Sequence, residues 1–117
     1  TLVDMRIGDL TMGQQTRVPP SDALRKRRDI CIDFTQAMGS NATVHLIRNG
    51  ELLETKSVGG GSVCTQRNKV VFADDKELSA VAVRNARFHP APFVVYYAKI
   101  QNSWDHTQWT SPIWLDI

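Results

Sequence analysis

The sequence predicts an all-β protein built of two facing sheets. Three observations carry that reading. Most apolar runs alternate with polar residues at period two, Gly, Pro, Asn and Asp interrupt the chain every ~8–12 residues, and almost no segment keeps a helical period. With 117 residues the chain fits a single domain, residues 1–117, long enough to bury a core without disulfide or metal staples.

Residues 2–9 alternate loosely and read as a first strand, which 12–18 continue after a break at Gly8 and Asp9. Pro19 and Pro20 begin a turn with Ser21 and Asp22, because two prolines remove donors that a ladder needs. Residues 21–28 offer one helical turn, too short to persist as a helix by itself. Residues 28–36 alternate again, with Ile30, Ile32 and Phe34 on one face. Residues 39–41 turn the chain into a strand at 43–48. Asn49-Gly50 then marks a two-residue hairpin, since a type I′ turn needs positive φ at both positions and Asn followed by Gly adopts it at least cost. Residues 51–58 form the return strand, and the three glycines at 59–61 a flexible connection.

Residues 62–67 and 69–73 read as two short strands around Asn68, or as one strand broken by a bulge, and 74–77 as a polar turn. Residues 78–84 are open between helical turn and strand; Val81 and Val83 decide for strand. Pro90 and Pro92 delay entry into 93–101, the strongest β-forming run, and a polar, aromatic hairpin tip leads to a closing strand. Seven or eight short strands match an immunoglobulin-like or fibronectin-like antiparallel β-sandwich. The chain starts at Thr1 rather than Met and ends inside a sheet, which reads as the C-terminal fragment of a longer protein.

Composition excludes several functions. The 14 Lys+Arg against 12 Asp+Glu leave a net charge of +2, too balanced for a surface that binds nucleic acid as a whole. Apolar runs fall well short of the ~20 residues of a membrane span, and no signal peptide is visible. The two cysteines, Cys31 and Cys64, allow one bridge, but Cys31 has the parity opposite to Ile30, Ile32 and Phe34. A bridge across the core needs both thiols inward.

Catalytic groups do not converge in the sequence. His45, His89 and His106 lie far apart with no paired-histidine motif, whereas zinc hydrolysis needs about three ligands, usually two from one short segment. No metal or cofactor is expected. Asp74 and Asp75 sit on a polar turn without an apolar neighbour to raise a carboxyl pKa. The glycine run has no lysine or helix start behind it to cradle phosphate. The domain by itself is therefore expected to be non-enzymatic.

Two features suggest contacts instead. Arg25-Lys26-Arg27-Arg28 is the densest charge; it reads first as a solvated loop or a guarded strand edge, then as partner contact through Arg25, Arg27 and Arg28, and last as a phosphate binder. Trp104 and Trp109, with His106 between them, flank the hairpin tip, where rings pack over the sandwich end, stack on sugar or dock another domain. Trp114 has the parity opposite to Ile113 and Leu115, so it covers the outer face or an interface rather than the core.

The segment Tyr96-Tyr97-Ala98-Lys99, followed by Trp109-Thr110-Ser111-Pro112-Ile113-Trp114, resembles the end of a bacterial family. This family comprises the large PHP-type metal-dependent hydrolases related to CehA/McbA. Their chains close with a β-sandwich whose last hairpin carries a Tyr-Tyr-x-Arg strand and a Trp-Ser-Ser-Pro-Ile-Trp strand, and the 44–51 hairpin looks like one found earlier in that module. Lys99 and Thr110 depart from the usual Arg and Ser. The resemblance implies a non-catalytic domain that packs against or orients a hydrolase domain, because the His and Asp clusters that hold the family's metals are missing here. The implied partner is an upstream catalytic domain of the same chain or another protein. The alternative is a carbohydrate- or ligand-binding sandwich using Trp104, Trp109 and Tyr97. Neither nucleic acid nor a membrane is expected as a partner. The motif also has a physical logic: Pro112 belongs at a strand break, Thr110 and Ser111 can satisfy the backbone there, and Tyr96 and Tyr97 must point to opposite faces.

Overall fold

In a computed structural model, which describes residues 3–37, 41–58, 65–85, 89–102 and 107–117, period-two alternation produces two sheets with their apolar sides together. The strands are β1 (Val3–Ile7), β2 (Leu10–Thr11), β3 (Gln15–Arg17), β4 (Arg28–Ala37), β5 (Ala42–Arg48), β6 (Glu51–Val58), β7 (Thr65–Asp74), β8 (Val83–Asn85), β9 (His89–Asn102), β10 (Thr107–Trp109) and β11 (Ile113–Asp116). A 3-10 turn at Ala23–Arg25 and a one-turn helix, α1 (Leu78–Val81), complete the described residues. The first sheet runs β2-β1-β4-β7 and the second β3-β11-β9-β5-β6. In the second, β9 carries β5 and β8 along one edge and β10 and β11 along the other. The β3–β11 pair is parallel, so this sheet is mixed rather than purely antiparallel.

The core is the set of inward positions. Met5 and Ile7 of β1, Ile30, Ile32 and Phe34 of β4, and Val70 and Phe72 of β7 meet Val44 and Leu46 of β5, Val94, Tyr96, Ala98 and Ile100 of β9, and Ile113 and Leu115 of β11. Each such large apolar side chain contributes about 1.5–3 kcal/mol on burial. Asn49 has φ 54° and Gly50 φ 84°, the left-handed pair that the Asn-Gly turn requires.

Three elements differ from expectation. Residues 78–84 split into α1 and β8. Leu78 is fully buried with Val81 and Ala82 partly buried beside it, while Val83 is exposed, so one helical turn seats the apolar residues that an alternating strand would divide between two faces. β7 runs through Asn68 in unbroken register with β4, so no bulge divides it. β9 begins at His89, ahead of both prolines. Pro90 and Pro92 share parity, and the Pro92 carbonyl accepts from Ile117 N at 3.0 Å. Their donorless nitrogens therefore face the edge where β11 ends, the position a strand proline tolerates.

Candidate functional site

Among the described residues, two gatherings of side chains bear on function, one inside and one outside. The inner one closes an end of the sandwich. Arg28 opens β4 directly opposite Asp74, the last residue of β7, and is fully buried. Its Nε donates to the Tyr96 hydroxyl at 2.8 Å, Nη1 to the carbonyls of Leu24 and Arg25 at 2.7 and 3.2 Å, and Nη2 to that of Lys76 at 2.5 Å. The Arg28 Nη2 lies 3.4 Å from Asp74 Oδ2. Asp74 accepts from the Tyr96 hydroxyl at 2.5 Å, from Arg48 Nη1 at 2.8 Å and from Lys76 N at 3.2 Å. Burial pushes the Asp74 carboxyl up, but the hydrogen bonds from Tyr96, Arg48 and Lys76 and the Arg28 charge outweigh it, so its pKa falls below the ordinary value. Burial, and then the Asp74 carboxylate, push the Tyr96 phenol well above its ordinary value. At neutral pH the cluster is thus a settled ion pair bridged by a neutral phenol. Its donors are spent within the chain, which is structural work.

The outer place is the solvent side of the β9 sheet. Phe93, Val95, Tyr97 and Lys99 share the outward parity of β9. Trp114 of β11 lies opposite Val95, Ile47 of β5 opposite Tyr97, and Leu52 of β6 opposite Ile47. Phe93 and Trp114 pack with ring centroids 5.1 Å apart at 51°, Tyr97 and Trp109 at 6.2 Å and 43°. The Lys99 ammonium sits 5.5 Å above the Trp109 ring. Together with Val83 and Pro112, the side chains of Phe93, Val95, Tyr97 and Trp114 line a concavity of about 440 Å³. Sheet faces turned to water are ordinarily polar; a contiguous apolar one marks a contact surface.

Asn49 shapes this concavity. β5 ends before β8 begins, and Asn49 fills the gap along the β9 edge: its Oδ1 accepts from Val95 N at 2.9 Å, its own N donates to Val95 O at 2.9 Å, and its Nδ2 donates to Val81 O at 2.7 Å. On the opposite edge Thr110 does the same between β10 and β11, donating its N to Ala98 O and accepting Ala98 N on Oγ1, both at 2.9 Å. Two side chains thus continue a ladder across breaks in the flanking strands, which holds the outward row of β9 straight.

The residues singled out in the sequence separate accordingly. Trp109 is 57% exposed and packs against Tyr97, outside the lining of the concavity; Trp104 and His106 lie outside the described residues. Arg25, Lys26, Arg27 and Arg28 do not form one solvated face. Arg25 and Arg28 are buried, Arg25 with its Nε on Val18 O at 2.8 Å, whereas Arg27 is exposed and pairs with Asp29 at 3.1 Å. Arg28 is drawn inward by the parity of β4, which it shares with Ile30 and Ile32, and Arg25 closes the 3-10 turn just before that strand. Trp114 occupies the outer face, as its parity requires. Cys31 is half-buried on the parity opposite to the core, and Cys64 lies outside the described residues. His45 holds Thr55 Oγ1 at 3.1 Å. Among the described residues no group of three His, Cys, Asp or Glu converges as metal ligands would, and no helix is long and apolar enough to cross a membrane. Phe93, Val95 and Tyr97 were not anticipated as a set, although 93–97 is apolar on both parities, the mark of a strand covered on both faces.

No protein-family profile matches the chain, and no solved structure does. It is similar to an uncharacterised protein of Chlamydia pneumoniae, 33% identical over 75 residues, which is 64% of this chain and 11% of that protein. The chain therefore spans a small fraction of the curated relative it matches.

Proposed function

We propose that this chain is a non-catalytic interaction module, an immunoglobulin-like sandwich that docks on and orients a metal-dependent hydrolase domain through the outer face of its β9 sheet. One observation carries the reading. The centre of a sheet face that should be solvated is instead an apolar concavity between Phe93, Val95, Tyr97 and Trp114, backed by ladder-continuing side chains that keep it in shape. Strand order supports the immunoglobulin-like assignment: β1, β4 and β7 take the places of A, B and E, and β6, β5, β9 and β11 those of C′, C, F and G. The Chlamydia relative supports a module within a larger protein, since the similar segment is a small part of that chain. The hydrolase class rests on the closing motif around Tyr96-Tyr97 and Trp109–Trp114.

The test is a charge placed at the floor of the concavity in the full-length chain. Val95→Glu is expected to detach the sandwich, seen as faster release by limited proteolysis and a larger radius in small-angle scattering. Release and radius equal to wild type would refute docking on this face. A second reading, sugar stacking on Trp109, draws on that ring's exposure, but the 43° tilt to Tyr97 makes a poor flat platform. Quenching of Trp109 fluorescence by oligosaccharides would favour it.

A further inference from the structure

We propose that β6 is a self-complementary edge on which a second copy of this chain adds its own β6, antiparallel, centred on Thr55. Among the described residues β6 is the last strand of its sheet, and residues 51–57 are all exposed, Leu52 to 62%. Such an edge offers unpaired backbone groups to any extended segment, and charged residues normally guard it. Here the guards are Glu54 and Lys56, two residues apart on one face of the strand.

Their spacing selects the partner. Two copies of β6 pairing about Thr55 bring Glu54 of each opposite Lys56 of the other, two opposite-charge cross-strand pairs in one short ladder. A slip of one residue would turn mismatched faces to one another. A slip of two would set Glu54 against Glu54 or Lys56 against Lys56, which is repulsive. A foreign strand need not carry matching charges at these positions, while the chain's own strand meets its complement in a single register. The irregularity between Leu46 and Ile47 in the β5–β6 pairing lies toward the start of β6 and leaves 54–58 regular. Because opposite residues of an antiparallel pair share a face, the two β9 sheets join side by side. Both aromatic concavities then look the same way, giving a bivalent surface whose two weak contacts reinforce each other.

Sedimentation velocity over a concentration series tests this on the intact chain, with charge variants and a cysteine probe. The wild type is expected to dimerise reversibly. Lys56→Glu and Glu54→Lys, which each turn two attractive pairs repulsive, are each expected to weaken the dimer by about tenfold or more, and the double swap Glu54→Lys/Lys56→Glu to restore it. Thr55→Cys is expected to give a covalent dimer on oxidation, because the Cα atoms of directly opposite residues lie roughly 4.5–5.5 Å apart, within disulfide reach. Lys56 also reaches Val71 O and the Phe72 ring, so Lys56→Glu alone is the less informative single change. A monomer at every concentration, a dimer indifferent to all three charge variants, or a double swap that does not rescue would overturn the proposal, as would a Thr55→Cys chain that stays monomeric under oxidation.

Discussion

Tyr96 and Tyr97 are neighbours on β9 and opposite in circumstance. Tyr96 points inward, fully buried, and its hydroxyl joins Arg28 to Asp74. Tyr97 points outward beside Trp109, at the lip of an apolar concavity. Inside, polar groups are brought together and satisfied; outside, apolar groups are brought together and, apart from the buried Phe93, stay partly open to water. Buried ionic groups cost desolvation that only complete pairing offsets, so the inner cluster is closed to further partners. Exposed apolar area gains free energy only when something covers it, so the outer face is the one with an unused driving force. The contrast separates what holds the sandwich together from what it presents.

Breaking the inner cluster should give the largest effect. Arg28→Ala leaves Asp74 with one cation fewer and orphans the carbonyls of Leu24, Arg25 and Lys76; a loss of about 3–5 kcal/mol is expected from urea unfolding. Tyr96→Phe keeps the ring in the core but removes the bridge between Arg28 and Asp74, and should cost about 1–3 kcal/mol in the same measurement.

Acid sharpens the contrast without a mutation. The folded pKa of Asp74 is below its ordinary value, so its contribution to stability is complete above the ordinary carboxylate range. That contribution is lost as pH falls below that range and through the folded value. Unfolding free energy measured from neutral pH downward should therefore decline on this acid limb, and Asp74→Asn should flatten it. Smallest of all, Trp109→Ala should change stability by less than about 0.5 kcal/mol, because the ring is mostly exposed and lies outside the core. A loss as large as that of Tyr96→Phe would mean that the outer face is structural after all.

Much of the sandwich is legible residue by residue. Ile30, Ile32 and Phe34 announce the inward face of β4, Asn49-Gly50 the β5–β6 hairpin, and the parity of Trp114 its outward position. What stays hidden depends on partners far away in sequence. Arg28 reads as one more cation in a basic run, because Asp74 and Tyr96, 46 and 68 positions away, become its neighbours only when β4 pairs with β7 and packs on β9. The parity of Arg28 did hold a clue, since it stands two residues before Ile30 in the inward row that runs on to Ile32 and Phe34. The outer concavity is half legible: 93–97 shows two apolar parities, but its walls come from Val83, Pro112 and Trp114, on other strands. Residues 78–81 are misread as strand for a related reason, as Leu78 and Val81 pack against the core from one helical turn.

Hydroxyl-radical footprinting of the 117-residue sandwich, alone and within the longer full-length chain that the proposed function entails, read by mass spectrometry at Tyr97, Trp109 and Trp114, tests the division of labour most directly. The account predicts that these three side chains are oxidised several-fold more slowly in the full-length chain, while Tyr96 stays unreactive in both. Equal oxidation of the outer rings in the two forms would contradict it.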